Sequence, residues 1–131
     1  MKTFKCTLVS LVLTCGPTAY SATEGLSKKY SSCMNNSVST QDMVECIDSE
    51  YKTQDARLNN AYKLLQKNLS ADRKKQLLEA QTLWIKYRDA NCSFYYDPDG
   101  GSMARLSAND CMMTSTAIRA KELENLVTLS R

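Results

Sequence analysis

Histidine is absent from this 131-residue chain, and no other feature of the composition removes as much chemistry. Serine and cysteine hydrolases rely on imidazole as their general base, and many zinc sites rely on it as a ligand. The six cysteines include no C-x-x-C pair, so the commonest sulfur spacing for zinc is missing as well. Proline and glycine are scarce, at two and four residues. Long stretches therefore carry no helix breaker. The apolar run from Phe4 to Leu13 is too short to span a bilayer, and there is no internal repeat, low-complexity tract or useful strand alternation. An enzyme, a metal site and a membrane span are all disfavoured, and no cofactor is implied.

What is present begins with an export pattern. Lys2 and Lys5 form a basic start, the apolar run follows, and Gly16 and Pro17 break it. Cleavage after Ser21 puts the small residues Ala19 and Ser21 where the peptidase reads. The alternative is lipidation at Cys15, for which Leu13 and Thr14 fit poorly. Removal of residues 1–21 takes the formal charge from +3 to +1. The remainder lacks the concentrated positive charge that nucleic-acid binding needs, and "RKK" at 73–75 reads as a solvated helix face. Cys6 and Cys15 leave with the signal. Cys33, Cys46, Cys92 and Cys111 remain, an even set for an oxidising compartment such as the periplasm or the exterior.

The organisation expected is a signal peptide over 1–21, an irregular arm over 22–38 and a helical domain over 39–131. After Ser39 and Thr40, the apolar positions Met43, Ile47, Tyr51, Leu58, Tyr62, Leu65 and Leu69 recur at helical spacing. Ser70 and Asp72 start a second helix, which continues through Leu77, Gln81, Trp84, Arg88 and Cys92. The short connection predicts a long antiparallel hairpin, with Trp84 and Arg88 opposite Asp55 to Tyr62. "YDPDGGSMARLS" at 96–107 is expected to be a loop. "SAND" at 107–110 would cap a third helix with one face marked by Cys111, Ser115, Ile118, Glu122 and Leu126 and widened by Leu123 and Leu129. The fold class is all-α. Four cysteines allow three pairings. Cys92 with Cys111 would close the loop at its neck and Cys33 with Cys46 would staple the arm, each contributing roughly 3 kcal/mol in the chain-entropy treatment.

Three constellations invite chemistry. Trp84 and Arg88 are one turn apart, so the guanidinium can cover the indole. Asp89 points about 100° away, and an acid of the first helix is the expected partner of Arg88. "LNNAY" at 58–62 offers Asn59 or Asn60 for a hydrogen bond to Gln81 across the hairpin. "DPDGGS" at 97–102 resembles a calcium loop only superficially, because Gly101 stands where an oxygen ligand is required. Its carboxylates also lack the rigid cleft of a glycosidase pair.

Cys33 and Cys46 thirteen apart, "LNNAY", "LLEAQTLWIKYRDANC", the "GGS" loop, Cys111 and "TAIRAKEL" together resemble the LprI-like lysozyme-inhibitor family. The resemblance runs from Cys33 to Leu123. It implies an exported, disulfide-bonded helical domain with a lysozyme-inhibiting role. At the matching positions Asn59, Gln81, Trp84, Arg88, Asp89 and Arg119 read as a structural network. The expected function is inhibition of a peptidoglycan hydrolase, lysozyme first, by a protein that enters the enzyme's cleft with the 95–105 loop. Tyr95, Tyr96, Asp97, Asp99, Gly101 and Ser102 would make the contact. The rivals are an immunity protein against a wall-degrading toxin and a structural module of the envelope.

Overall fold

The computed structural model describes residues 25–129 and contains four helices: α1 (Lys28–Asn36), α2 (Thr40–Lys67), α3 (Ala71–Phe94) and α4 (Gly101–Leu129). Among the described residues there is no strand, so the all-α expectation holds. The export segment lies outside the described residues.

The irregular arm is the first correction, because most of its described part is α1. The Ser27 hydroxyl caps that helix by accepting from the Tyr30 N–H. Ser27 is in turn gripped by Glu50 of α2, which accepts from its N–H at 2.8 Å and from its hydroxyl at 2.6 Å. The Cys33–Cys46 disulfide ties the other half of α1 to the first turns of α2. Tertiary anchors at both ends hold as a helix a segment that its Ser- and Asn-rich sequence would not hold alone.

α2 starts where the sequence indicates. Ser39 accepts from the Asp42 N–H at 3.1 Å, and the Asp42 carboxylate accepts back from the Ser39 N–H at 3.0 Å, a complete capping box. The Ser39 hydroxyl bond, then the N–H groups of Val38 and Ser39, hold the Asp42 carboxyl below the usual carboxylate range. Ile47, Leu58 and Leu65 are buried as expected, but the same stripe also buries Glu50 and Gln54. These polar groups face the arm, where Gln54 donates to the Gly25 carbonyl at 3.0 Å and to Glu50 at 2.7 Å.

Helix directions follow from two sets of contacts. Gln41 meets Arg105 and Arg57 meets Glu124, so α2 and α4 run parallel and nearly in step. Gln81 meets Arg119 and Arg88 meets Thr116, so α3 runs back against α4. α3 is thus antiparallel to α2, as the short turn requires, yet the tightest seam joins α2 to α4. Leu58, Ala61 and Leu65 pack there on Ala120, Leu123 and Val127, with Leu77 and Trp84 of α3 closing the side.

The third-helix expectation fails in start and in face. α4 begins six residues early, at Gly101, where φ is +62°, a backbone conformation that glycine adopts readily. Gly100 lies beneath Ala104, and a Cβ there would sit 2.7 Å from the Ala104 methyl. "SAND" is consequently in the helix interior. The buried face is Met113, Thr116, Ala117, Ala120, Leu123 and Val127, of which only Leu123 was expected, and it lies roughly opposite the stripe of Cys111, Ser115, Ile118, Glu122 and Leu126. That stripe turns instead toward α3, as the Cys92–Cys111 bridge shows. Ala117 and Ala120 mark the α2–α4 seam because small side chains let two helix backbones approach closely.

Candidate functional site

The expected loop contracts to a turn over residues 95–100, since Gly101 and Ser102 belong to the first turn of α4. Its order comes from its own hydrogen bonds. Tyr96 N–H donates to Ser93 O at 3.0 Å, and Gly100 N–H donates to Asp97 O at 3.0 Å. Asp99 N–H donates to the Asp97 carboxylate at 2.9 Å, the local side-chain closure typical of Asp in turns. The disulfide Cys92–Cys111, with Cα atoms 5.4 Å apart, joins the last turn of α3 to the third turn of α4. It ties the helices beneath the turn rather than at its neck.

All six of the proposed contact residues, Tyr95, Tyr96, Asp97, Asp99, Gly101 and Ser102, are exposed at this end of the bundle. Tyr96, Asp97, Gly101 and Ser102 share with Arg105 a shallow concavity of about 330 Å³. Tyr96 also borders a second one of about 330 Å³ with Arg88, Asp89 and Asn109, which links the turn to the helix below it.

The network residues assemble around Trp84, though not with all the partners expected. Arg88 stands 5.0 Å and Arg119 stands 5.8 Å from the indole centroid. The Trp84–Arg88 contact is therefore as expected; Arg119 adds a second cation from α4. Arg88 pairs with its neighbour Asp89, at 2.8 and 2.9 Å, and donates to Thr116 Oγ1 at 3.2 Å. The expected acid of the first helix is not its partner. Side-chain length overcomes the 100° offset, because the guanidinium folds back along α3 when α4 supplies its other acceptor. Gln81 is likewise not paired with Asn59. It accepts from Arg119 Nε at 3.0 Å, whereas Asn59 donates to Asp55 on its own helix at 2.9 Å. A cleft of about 290 Å³, bordered by Asn59, Tyr62, Gln81, Trp84 and Arg88, lies between α2 and α3, and each amide takes its partner elsewhere.

Sequence reasoning missed Thr116, fully buried between Arg88 and the Met112 carbonyl. It also missed the Arg57–Glu124 ion pair across the α2–α4 seam. The i, i+4 placement of Glu50 and Gln54 on the apolar stripe of α2 was a legible signal that the arm docks there. Among the described residues no group of potential ligands could hold a metal ion, and no helix is long and apolar enough to cross a membrane.

Two helices braced by an Arg–Trp–Arg stack and capped by a disulfide-anchored turn can now be set beside known proteins. The profile of the family described as Lysozyme inhibitor LprI matches residues 33–123. The chain belongs to the LprI family. An uncharacterized protein of Rhizobium meliloti (strain 1021) is 32% identical over 104 residues, covering 69% of this chain and 75% of the relative. No solved structure matches. The LprI match begins at Cys33, inside α1, so it takes in the C-terminal part of that helix and its disulfide to α2. Membership gives a lysozyme-inhibitor role in general terms, with a protein such as lysozyme as partner, and the family is one of inhibitors rather than of catalysts. Two disulfides and this family fit a location outside the cytoplasm.

Proposed function

We propose that this LprI-family protein is exported through a signal at residues 1–21 and inhibits a peptidoglycan hydrolase, lysozyme first, by inserting the turn around Tyr95 to Ser102 into the enzyme's cleft. The observation that carries this reading is the form of the turn: short, exposed at one end of the bundle and internally hydrogen-bonded, with exposed tyrosines and carboxylates. Such a segment loses little entropy on binding, and tyrosine offers contact area at low rotamer cost. Backbone around Gly101 has open space beside it, which suits close approach to an enzyme wall.

Electrostatic steering has more support than the net charge implies. The Gln41–Arg105 contact puts the start of α2 at the same end as the turn, so Asp42 and Glu45 add to Asp97 and Asp99 there, with Arg105 the cation among them. Lys63, Lys67, Arg73, Lys74 and Lys75 lie toward the other end, around the α2–α3 turn. Charges separated in this way orient a nearly neutral protein toward a basic enzyme.

Residual lytic activity of a lysozyme and amidase panel, incubated with the purified oxidised protein, tests the reading. Inhibition at micromolar concentration is expected. Tyr96→Ala and the pair Asp97→Asn, Asp99→Asn should each weaken it about tenfold, on the order of 1.4 kcal/mol. No inhibition anywhere in the panel sinks the function, and full inhibition by both turn variants sinks the occluding turn.

A further inference from the structure

The end of the bundle remote from the turn carries a feature that inhibition does not use. Between the end of α2, the start of α3 and the end of α4 runs an open groove of about 500 Å³. Leu65, Leu69, Leu77, Leu126 and Leu129 form its walls, and Leu126 and Leu129 remain 44% and 83% exposed. Two guanidinium groups border it. Arg119 is fixed by Gln81 and Glu122, while Arg73 is exposed and reaches only to Gln76 of its own helix at 2.6 Å. Lys67 and Lys74 are exposed beside it on the same turn. A concave, leucine-lined space of this volume with one or two polar groups at its margin is the common form of a small-molecule site.

We propose that this groove binds a single anionic amphiphile, with the acyl chain along the leucines and the carboxylate or phosphate head against Arg73. Two features select that occupant. Concavity suits one chain, whereas a bilayer surface is better met by protruding apolar side chains. The cationic margin favours an acidic head over a neutral one through a charge-assisted bond. The proposal is independent of the inhibitory turn, which lies at the opposite end.

Calorimetric titration of the purified oxidised protein with monomeric decanoate, dodecanoate and 1-dodecanol tests it. Full burial tightens binding about fourfold per methylene, so in this open groove dodecanoate should bind several-fold, and at most about fifteenfold, more tightly than decanoate. Dodecanoate should also exceed 1-dodecanol. Arg73→Gln should weaken dodecanoate about tenfold and leave 1-dodecanol unchanged. Replacing Leu126 and Leu129 together by Ser, at positions exposed enough to spare the fold, should weaken all three ligands and leave lysozyme inhibition as it was. Absence of saturable dodecanoate binding would overturn the proposal, as would equal binding by the Arg73 and leucine variants. Association with phosphatidylglycerol vesicles but not with monomeric dodecanoate would also overturn it, since the surface would then be a membrane contact.

Discussion

α4 is held by two neighbours in two different ways. Toward α2 it presents Ala117, Ala120, Leu123 and Val127, all buried, and the seam is sealed by close apolar packing with one ion pair, Arg57–Glu124, at its edge. Toward α3 it presents Cys111, Ser115, Thr116 and Arg119. The contact there is a disulfide, side-chain hydrogen bonds through Gln81 and Arg88, the two guanidinium groups over Trp84, and only the edge packing of Leu77 and Trp84 on the core. The buried residues of α3 are Gln81, Arg88 and Cys92, while Leu78, Leu83, Tyr87 and Phe94 are exposed. Apolar packing is non-directional and resists water along its whole length, whereas the α3 attachment depends on a few directional bonds. α3 should therefore be the first of the long helices to open.

The largest effect should come from the α2–α4 seam. Leu123→Ala removes a fully buried side chain and should cost about 2–5 kcal/mol in urea unfolding. Next is the bridge that secures α3. Replacing Cys92 and Cys111 by Ser should cost about 3 kcal/mol, and hydrogen exchange should show α3 losing protection while α2 and α4 keep theirs. If the three helices lose protection together, the contrast between the two attachments is wrong. Arg88→Ala should cost about 2 kcal/mol through the lost bonds to Asp89 and Thr116 and change the near-UV signal of the single tryptophan.

Ser39→Ala removes the cap of α2 and should cost about 1 kcal/mol. Because the Asp42 carboxyl is held below its ordinary value, that pairing stabilises the fold above the unfolded-chain value and is lost as pH falls through the lower folded one. The variant should therefore differ from the parent more at pH 7 than at pH 2, measured as thermal midpoints. The smallest effect belongs to Asp110, whose carboxyl is raised by burial. Ionisation there opposes folding, so its contribution is present below the unfolded-chain value and lost as pH rises through the raised one. Asp110→Asn should raise the thermal midpoint slightly at neutral pH, the effect being reduced by solvent screening at this partly exposed site, and leave it unchanged at pH 3. Tyr30 beside it, pushed up by burial and then by the carboxylates of Asp110 and Glu50, should stay protonated in both.

Much of this was legible along the chain. The helix start at Ser39 and Thr40, the absence of breakers across α2, the short connection at Ser70 and the cysteine positions are local signals, and each predicts an element or a link that is present. The Trp84–Arg88 contact follows from spacing within one helix. α1 was illegible because its stability comes from Glu50 and a disulfide, not from its own residues. The face of α4 was misread because large apolar side chains attract attention, while the closest seam here is built from Ala117 and Ala120. The turn was overestimated because Gly100 and Gly101 signal a break but not how soon a helix resumes after it.

The sequence by itself determined a helical, twice-bridged chain without histidine chemistry, because periodicity, caps and composition act over a few residues and need no partner. Only the tertiary structure decided that α4 lies parallel to α2, that Arg88 bonds Asp89 and Thr116, and that Arg73 and Arg119 border a leucine-lined groove at the end remote from the turn. Those outcomes depend on which helix faces which, and a side chain's partner is chosen by the neighbour that burial brings within reach.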